Sequence, residues 1–327
     1  MHTPAMDNAS SPLNCRRWGY GVVASLTFLL GMTGCGPTKP DNSAQSRADR
    51  SDSFRSGPVE ALVADAMRRH FIQHDTEQAL QMLKAATGRA PDRADIVWLY
   101  SQLCAQALGC EPEPLETRLR KLDPDNGIAW LGALSRARAR GDVSAEYQIL
   151  EAMSRSQKFD VYWNSLVWKL GTAVAQSSTA EPNNALMGPL TSGLNDAVGW
   201  LSTFTLPAFQ PLREACSGAG VSGPNLRTDC LRISEAMRRS DTYVVEGIGL
   251  GIAQRLTPAP STAATQIEQQ INLSRYQRET ATNIMEAQLE REKFSQQLLE
   301  LMKKLPREQD VFLSVLRWSG RSLTPPG

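Results

Sequence analysis

No apolar run in this chain after its first thirty-odd residues is long enough to cross a bilayer; a spanning helix needs about 20 such residues. Charge of either sign in excess is also missing: the formal net charge is +1. A nucleic-acid binder needs a basic stripe to displace counterions from phosphates, so that class is excluded. Histidine is scarce, with His70 and His74 the only two beyond the first few residues. On one helix their spacing would place both on one face, but a zinc site needs three or four protein ligands and no third accompanies them. No Cys-x-x-Cys pair occurs, which removes zinc knuckles and thioredoxin-type centres. Gly247, Gly249 and Gly251 do not make a dinucleotide fingerprint, and they sit in a helical pattern rather than after a strand. Gly247 and Gly251, four apart, read instead as positions where another helix approaches closely. Gly220-Val221-Ser222-Gly223 lacks the spacing of a nucleophile elbow. No segment is β-rich. Neither a cofactor site, a metal site nor a catalytic set is therefore expected from the residues.

What is present begins with the N-terminal segment. Arg16 and Arg17 are followed by the short apolar run 22–30 (VVASLTFLL), then by Met32-Thr33-Gly34-Cys35. Positive residues, an apolar stretch and a small-residue site in that order mark an export signal. The ending resembles the lipobox of bacterial lipoproteins, in which cleavage falls before the cysteine and its thiol is acylated. The resemblance implies a signal peptide over 1–34, lipidation at Cys35 and a membrane attachment through lipid alone, several acyl chains making such an anchor stable. Gly36, where an Asp would retain a lipoprotein in the inner membrane, implies the outer membrane facing the periplasm. Residues 35–57 are polar, carry Pro and Gly, and read as a flexible tether.

Beyond the anchor, four cysteines remain: Cys104, Cys110, Cys216 and Cys230. An even number in an oxidising compartment reads as two disulfides. Three connectivities are open, and proximity favours Cys104–Cys110 with Cys216–Cys230. The first of these requires the helix around Cys104 to end near Leu108, since the two residues are too far apart on a continuous helix.

From 58 to 180 the pattern is helical and repetitive. Val59, Leu62, Val63, Ala66 and Met67 recur at helical spacing, and Asp75 or Thr76 is placed to cap the next helix. Trp98, Trp130 and Trp163 are 32 and 33 residues apart, and Gly109 and Gly141 each follow a Trp by 11. Such markers look like tetratricopeptide-type helical hairpins. The departures are a period short of 34 and a Leu131-Gly132 pair that follows Trp130 directly. The resemblance implies an all-α, TPR-like solenoid of about three and a half repeats, with an extended concave surface for a protein partner.

The helical C-terminal region, 181–327, opens with a loosened stretch over 181–211 that suggests short helices joined by turns. A glycine-rich loop follows between Cys216 and Cys230, then one helix over about 231–256 and one long terminal helix over about 262–305. On the terminal helix, Phe294, Leu298, Leu301 and Leu305 share a face, whereas Gln266 to Arg278 is polar all round. The aromatics Trp98, Trp130, Trp163, Trp168 and Trp200 read as core rather than as a ligand groove. Three functions fit: an envelope-anchored interaction scaffold with a protein partner, an enzyme or accessory subunit with its site in the C-terminal half, or an assembly lipoprotein pairing through the terminal helix.

Overall fold

The structure is a computed structural model that describes residues 57–177, 188–216 and 224–326. Cys35, the expected signal peptide and the tether lie outside the described residues. The class is all-α: among the described residues there are thirteen α-helices, one 3-10 turn at Gly127–Trp130 and no strand.

The first six helices form three hairpins. Helix α1 (Val59–Phe71) turns into α2 (Thr76–Arg89), α3 (Ala94–Gln106) into α4 (Glu113–Leu122), and α5 (Leu131–Ala139) into α6 (Val143–Ser154). Their ends follow from the sequence. The Asp75 carboxylate accepts from the Gln78 N–H at 3.1 Å and starts α2. Asp142 does the same for Ala145 at 3.0 Å and starts α6. Gly109 and Gly141 turn the chain within the second and third hairpins with φ of +76° and +65°, a region open to glycine at little cost. The two glycine markers therefore share one structural role. Helix α3 ends at Gln106, and the Cys104–Cys110 disulfide closes the turn behind it, with Cα atoms 5.2 Å apart.

An open stack would leave the first hairpin touching only the second. Here α1 also packs on α7 (Trp163–Gln176), a hundred residues later. Asp95 of α3 holds the closure. Its buried carboxylate takes Arg93 at 2.7 Å and Lys169 of α7 at 3.0 Å, while Arg93 reaches Glu60 of α1 at 2.8 Å. The two cations and the hydrogen bond from Arg93 overcome burial and hold Asp95 below the usual carboxylate range.

Helix α8 (Pro189–Ala215) is a single helix of 27 residues, where the loosened pattern over 181–211 suggests short helices joined by turns. Pro207 and Pro211 lie inside it, and tertiary packing overrides their local cost. Trp200, Leu201, Phe204, Phe209 and Leu212 are all buried. Phe71 of α1 lies parallel to Trp200 and tilted against Phe204, at centroid distances of 6.4 and 5.6 Å. Against α7 the approach is limited by two glycines. A Cβ on Gly193 would stand 2.2 Å from the Gly171 carbonyl oxygen. The start of α8 is capped from far away, by Glu292, which accepts from the backbone of Leu190 at 2.8 Å and Thr191 at 3.2 Å.

The expected helix over 231–256 is two helices, α9 (Pro224–Met237) and α10 (Tyr243–Leu256). Ser240-Asp241-Thr242 separates them, and Thr242 caps α10 by accepting from the Val245 N–H at 3.2 Å. Close approach occurs at Gly249, whose Cβ would meet Met237 Cβ at 2.7 Å, and not at Gly247 or Gly251, which face open space. The expected terminal helix is likewise interrupted. Helix α11 (Thr262–Glu286) ends in a turn over 287–290, and α12 (Glu292–Lys304) and α13 (Glu308–Trp318) follow. Phe294 and Leu298 are buried, and Leu301 and Leu305 pack beside them. Within 266–278, Ile267 is buried and the remainder is exposed or half-buried. One apolar core runs from Leu62 to Leu316 and joins both halves of the chain. Cys216 at the end of α8 is linked to Cys230 of α9, with Cα atoms 5.6 Å apart.

Candidate functional site

The tryptophans of the repeat pattern do not converge on a cavity. Trp98 and Trp163 are buried in the core, Trp130 is covered by Arg120 at 4.5 Å, and Lys303 lies 5.2 Å over Trp168. Helix α8 covers part of the surface of the hairpins. That helix packs on α5 and α7, meets α1 through its aromatics, and with α3 lines only a small cavity of about 170 Å³. His70 and His74 do not share a helical face. Helix α1 ends at Phe71, and His74 occupies the following turn with φ of 55°. His70 bonds Thr76 at 3.0 Å, and burial lowers its pKa. Among the described residues no three His, Cys, Asp or Glu side chains are grouped to hold a metal.

Two places remain with organised polar chemistry. The first is a groove of about 810 Å³ between α6 and α9. Tyr147, Glu151 and Arg155 come from α6, and Leu226, Asp229 and Arg232 from α9. Glu151 and Arg155 pair one turn apart on α6. Tyr147 is 48% exposed. The groove owes its place to two constraints. The Cys216–Cys230 bridge anchors α9, and the buried face of α6, Leu150 and Met153, is fixed in the core. Sequence reasoning missed it because its walls come from helices eighty residues apart and carry no motif.

The second is an acidic junction at the start of α7. Asn126 is fully buried; its Nδ2 donates to Asp123 at 3.1 Å and to the Asp160 carbonyl at 2.9 Å. Tyr162 donates to Asp123 at 2.8 Å, and burial together with that carboxylate raises its pKa steeply. Asp241, in the α9–α10 turn, accepts from the backbone of Val161 at 3.0 Å and Trp163 at 2.8 Å. It thereby caps α7 from eighty residues away, where Tyr162 stands in the left-handed region. Glu308 caps α10 in the same manner, accepting from Tyr243 N–H at 2.8 Å. Gln309 donates to Glu246 at 2.8 Å. Burial and the neighbouring Asp160 push Asp241 up to about 8, and burial pushes Glu308 up to about 7. Asp160 and Glu246 are raised for the same first reason. The only signal in the sequence was Ser240-Asp241-Thr242, three good capping residues in a row inside a helical pattern.

The groove offers an open, largely polar surface with one aromatic, Tyr147, one aliphatic side chain, Leu226, and charges of both signs, which suits recognition of a chain segment. The junction joins helix ends through buried carboxylates. No family model matches this sequence, and neither the curated proteins nor the solved structures include one significantly similar to it.

Proposed function

We propose that the protein is a lipoprotein of the bacterial envelope that serves as an interaction scaffold, tethered through Cys35 and engaging a protein partner along the α6–α9 groove. The observation that carries this reading is the groove itself: a wide cleft of about 810 Å³ with mixed polar and apolar walls, bearing the exposed Tyr147. A segment of partner chain fits such a surface better than a small substrate, which calls for a more enclosed and more apolar pocket. The anchor rests on the order of Arg16-Arg17, the apolar run and Met32-Thr33-Gly34-Cys35. Two disulfides fit an oxidising compartment outside the cytoplasm. Gly36 after the anchor supports the outer membrane. The TPR-like reading has support in the three hairpins and in the shared turn role of Gly109 and Gly141. Because α8 covers the hairpin surface on which it packs, the partner site is assigned to the open α6–α9 groove.

The assembly reading loses its main support, since the apolar stripe of α12 is already packed on α7 and α8 of the same chain. Fatty-acid labelling and fractionation test the anchor. The wild type is expected to label and to sediment with outer-membrane markers, and Cys35→Ala to do neither. Normal labelling of Cys35→Ala overturns the anchor, and co-fractionation with inner-membrane markers overturns the location.

A further inference from the structure

Of the six tryptophans described, Trp318 alone is exposed, at 55%. It ends α13, and the helix is closed behind it by Gly320, whose φ of +63° lets the Arg321 N–H reach back to the Leu316 carbonyl at 2.9 Å. The chain then runs along α11, where Tyr276 and Gln277 donate to the carbonyls of Ser322 and Leu323 at 3.2 and 2.9 Å. The indole is therefore held between a capped helix end and a fastened tail. Beside it, Gln296, Gln297, Glu300, Leu301 and Lys304 of α12 join Trp318 around an open cavity of about 280 Å³. Trp318 and the half-buried Leu301 give it an apolar surface, and the four other side chains bring polar ends to it. Among the described residues, none of those four takes part in a side-chain hydrogen bond or an ion pair.

We propose that this cavity binds a saccharide, with the Trp318 indole stacked on the C–H face of a pyranose ring that carries an acetamido group. The other ligand classes fit less well. A purely apolar ligand would take water from the polar ends and leave them unpaired. A phosphate or nucleotide needs net positive charge, and here Glu300 and Lys304 offset each other. A long partner segment needs a larger surface than a cavity of about 280 Å³, which lies at the small end of the range for ligand pockets, about 300–1,000 Å³. A pyranose carries both kinds of surface found at the site. The C–H groups of one face lie flat on an aromatic ring, and the hydroxyls around its edge donate as well as accept. Gln296 and Gln297 each donate and accept, Glu300 accepts, and Lys304 donates. An acetamido group matches a glutamine amide in both directions, and its methyl suits the Leu301 surface. The site is built on α12 and α13, so it stands whether or not a partner occupies the α6–α9 groove.

The test uses the folded, unlipidated chain labelled with 5-fluorotryptophan and read by 19F NMR, the Trp318 signal being the one lost in Trp318→Phe. The probe is the β-linked tetramer of N-acetylglucosamine, and maltotetraose, which lacks the acetamido group, is the comparison. The tetramer is expected to shift the Trp318 signal saturably with a Kd of about 1 mM or below, and maltotetraose to bind about tenfold more weakly or not at all. Saturation transfer to the acetyl methyl then reads binding in the variants. Trp318→Ala is expected to weaken it about tenfold or more, and Gln297→Ala, which removes one hydrogen-bonding amide, about threefold. Gln269→Ala on α11 is expected to bind as the wild type does. The proposal is overturned if the Trp318 signal does not move with tetramer up to about 10 mM, ten times the expected Kd. It is also overturned if maltotetraose binds equally well, or if Trp318→Ala or Gln297→Ala binds as tightly as the wild type. Should Trp318→Ala not fold, the wild-type shift and Gln297→Ala decide.

Discussion

Single atoms set the closest contacts in this molecule. Gly193 faces the Gly171 carbonyl so tightly that an added methyl would stand 2.2 Å from its oxygen. Gly193→Ala is therefore expected to force α7 and α8 apart and to cost about 1–3 kcal/mol, as overpacking does. Gly247→Ala, with open space around it, is expected to be neutral or to gain up to about 1 kcal/mol from helix propensity. Chemical denaturation of the two variants checks both signs. The contrast also shows what the sequence could and could not tell. Gly247 and Gly251, four apart, read as the positions of close approach, whereas it is Gly249 that faces Ser234 and Met237, and that is set by the rotation of α10. Gly109 and Gly141 were more legible, because a turn glycine acts locally.

Among the elements, legibility followed the same line between local and distant causes. Helix starts with their own caps, Asp75 and Asp142, could be found from sequence. Starts capped from elsewhere, α7 by Asp241, α8 by Glu292 and α10 additionally by Glu308, could not. The break at 287–290 contains neither glycine nor proline, so the α11–α12 boundary left no trace in the pattern. Within α8 the error ran the other way, since two prolines suggested breaks that buried aromatics override. The Cys216–Cys230 staple was foreseeable from spacing, and its worth is an element-scale matter. Replacing both cysteines with serine frees the link between α8 and α9 and, on the chain-entropy model, is expected to lower stability by about 3 kcal/mol for a loop of this length. A change below about 0.5 kcal/mol in non-reducing thermal melts would show that α9 is held by packing alone.

At the scale of the whole molecule, buried charge makes stability depend on pH. Asp241 and Glu308 are raised to about 8 and about 7 in the folded chain, against about 4 when unfolded. The folded state then binds more protons than the unfolded state across that interval, so stability falls as pH rises through it and levels off only about one unit above the Asp241 value. Asp95 and Glu60, held low by Arg93 and Lys169, contribute only where pH falls below about 4. His70, lowered by burial, costs stability below about pH 6.5 and adds no slope above it. Between pH 7 and 8.5 the carboxylates of the junction stand alone, and the melting temperature is expected to decline over that range. A flat or rising profile there would mean that these carboxylates ionise at ordinary pH values.

The all-α class, the hairpins and both disulfide pairs could be read from residue spacing, whereas the packing of α8 on α1 and α5 depends on contacts between residues far apart in the chain. With α8 packed there, the proposed partner site is the α6–α9 groove, and the groove is the claim most open to direct attack. The decisive measurement is site-specific photo-crosslinking in the native envelope, with the reactive group at Tyr147 and a control at Gln269, an exposed position on α11. A discrete adduct from position 147, none of the same mass from 269, and loss of that adduct on Arg232→Glu would agree with a partner seated between α6 and α9. An adduct from 269 with none from 147, or one from 147 indifferent to Arg232→Glu, would contradict it.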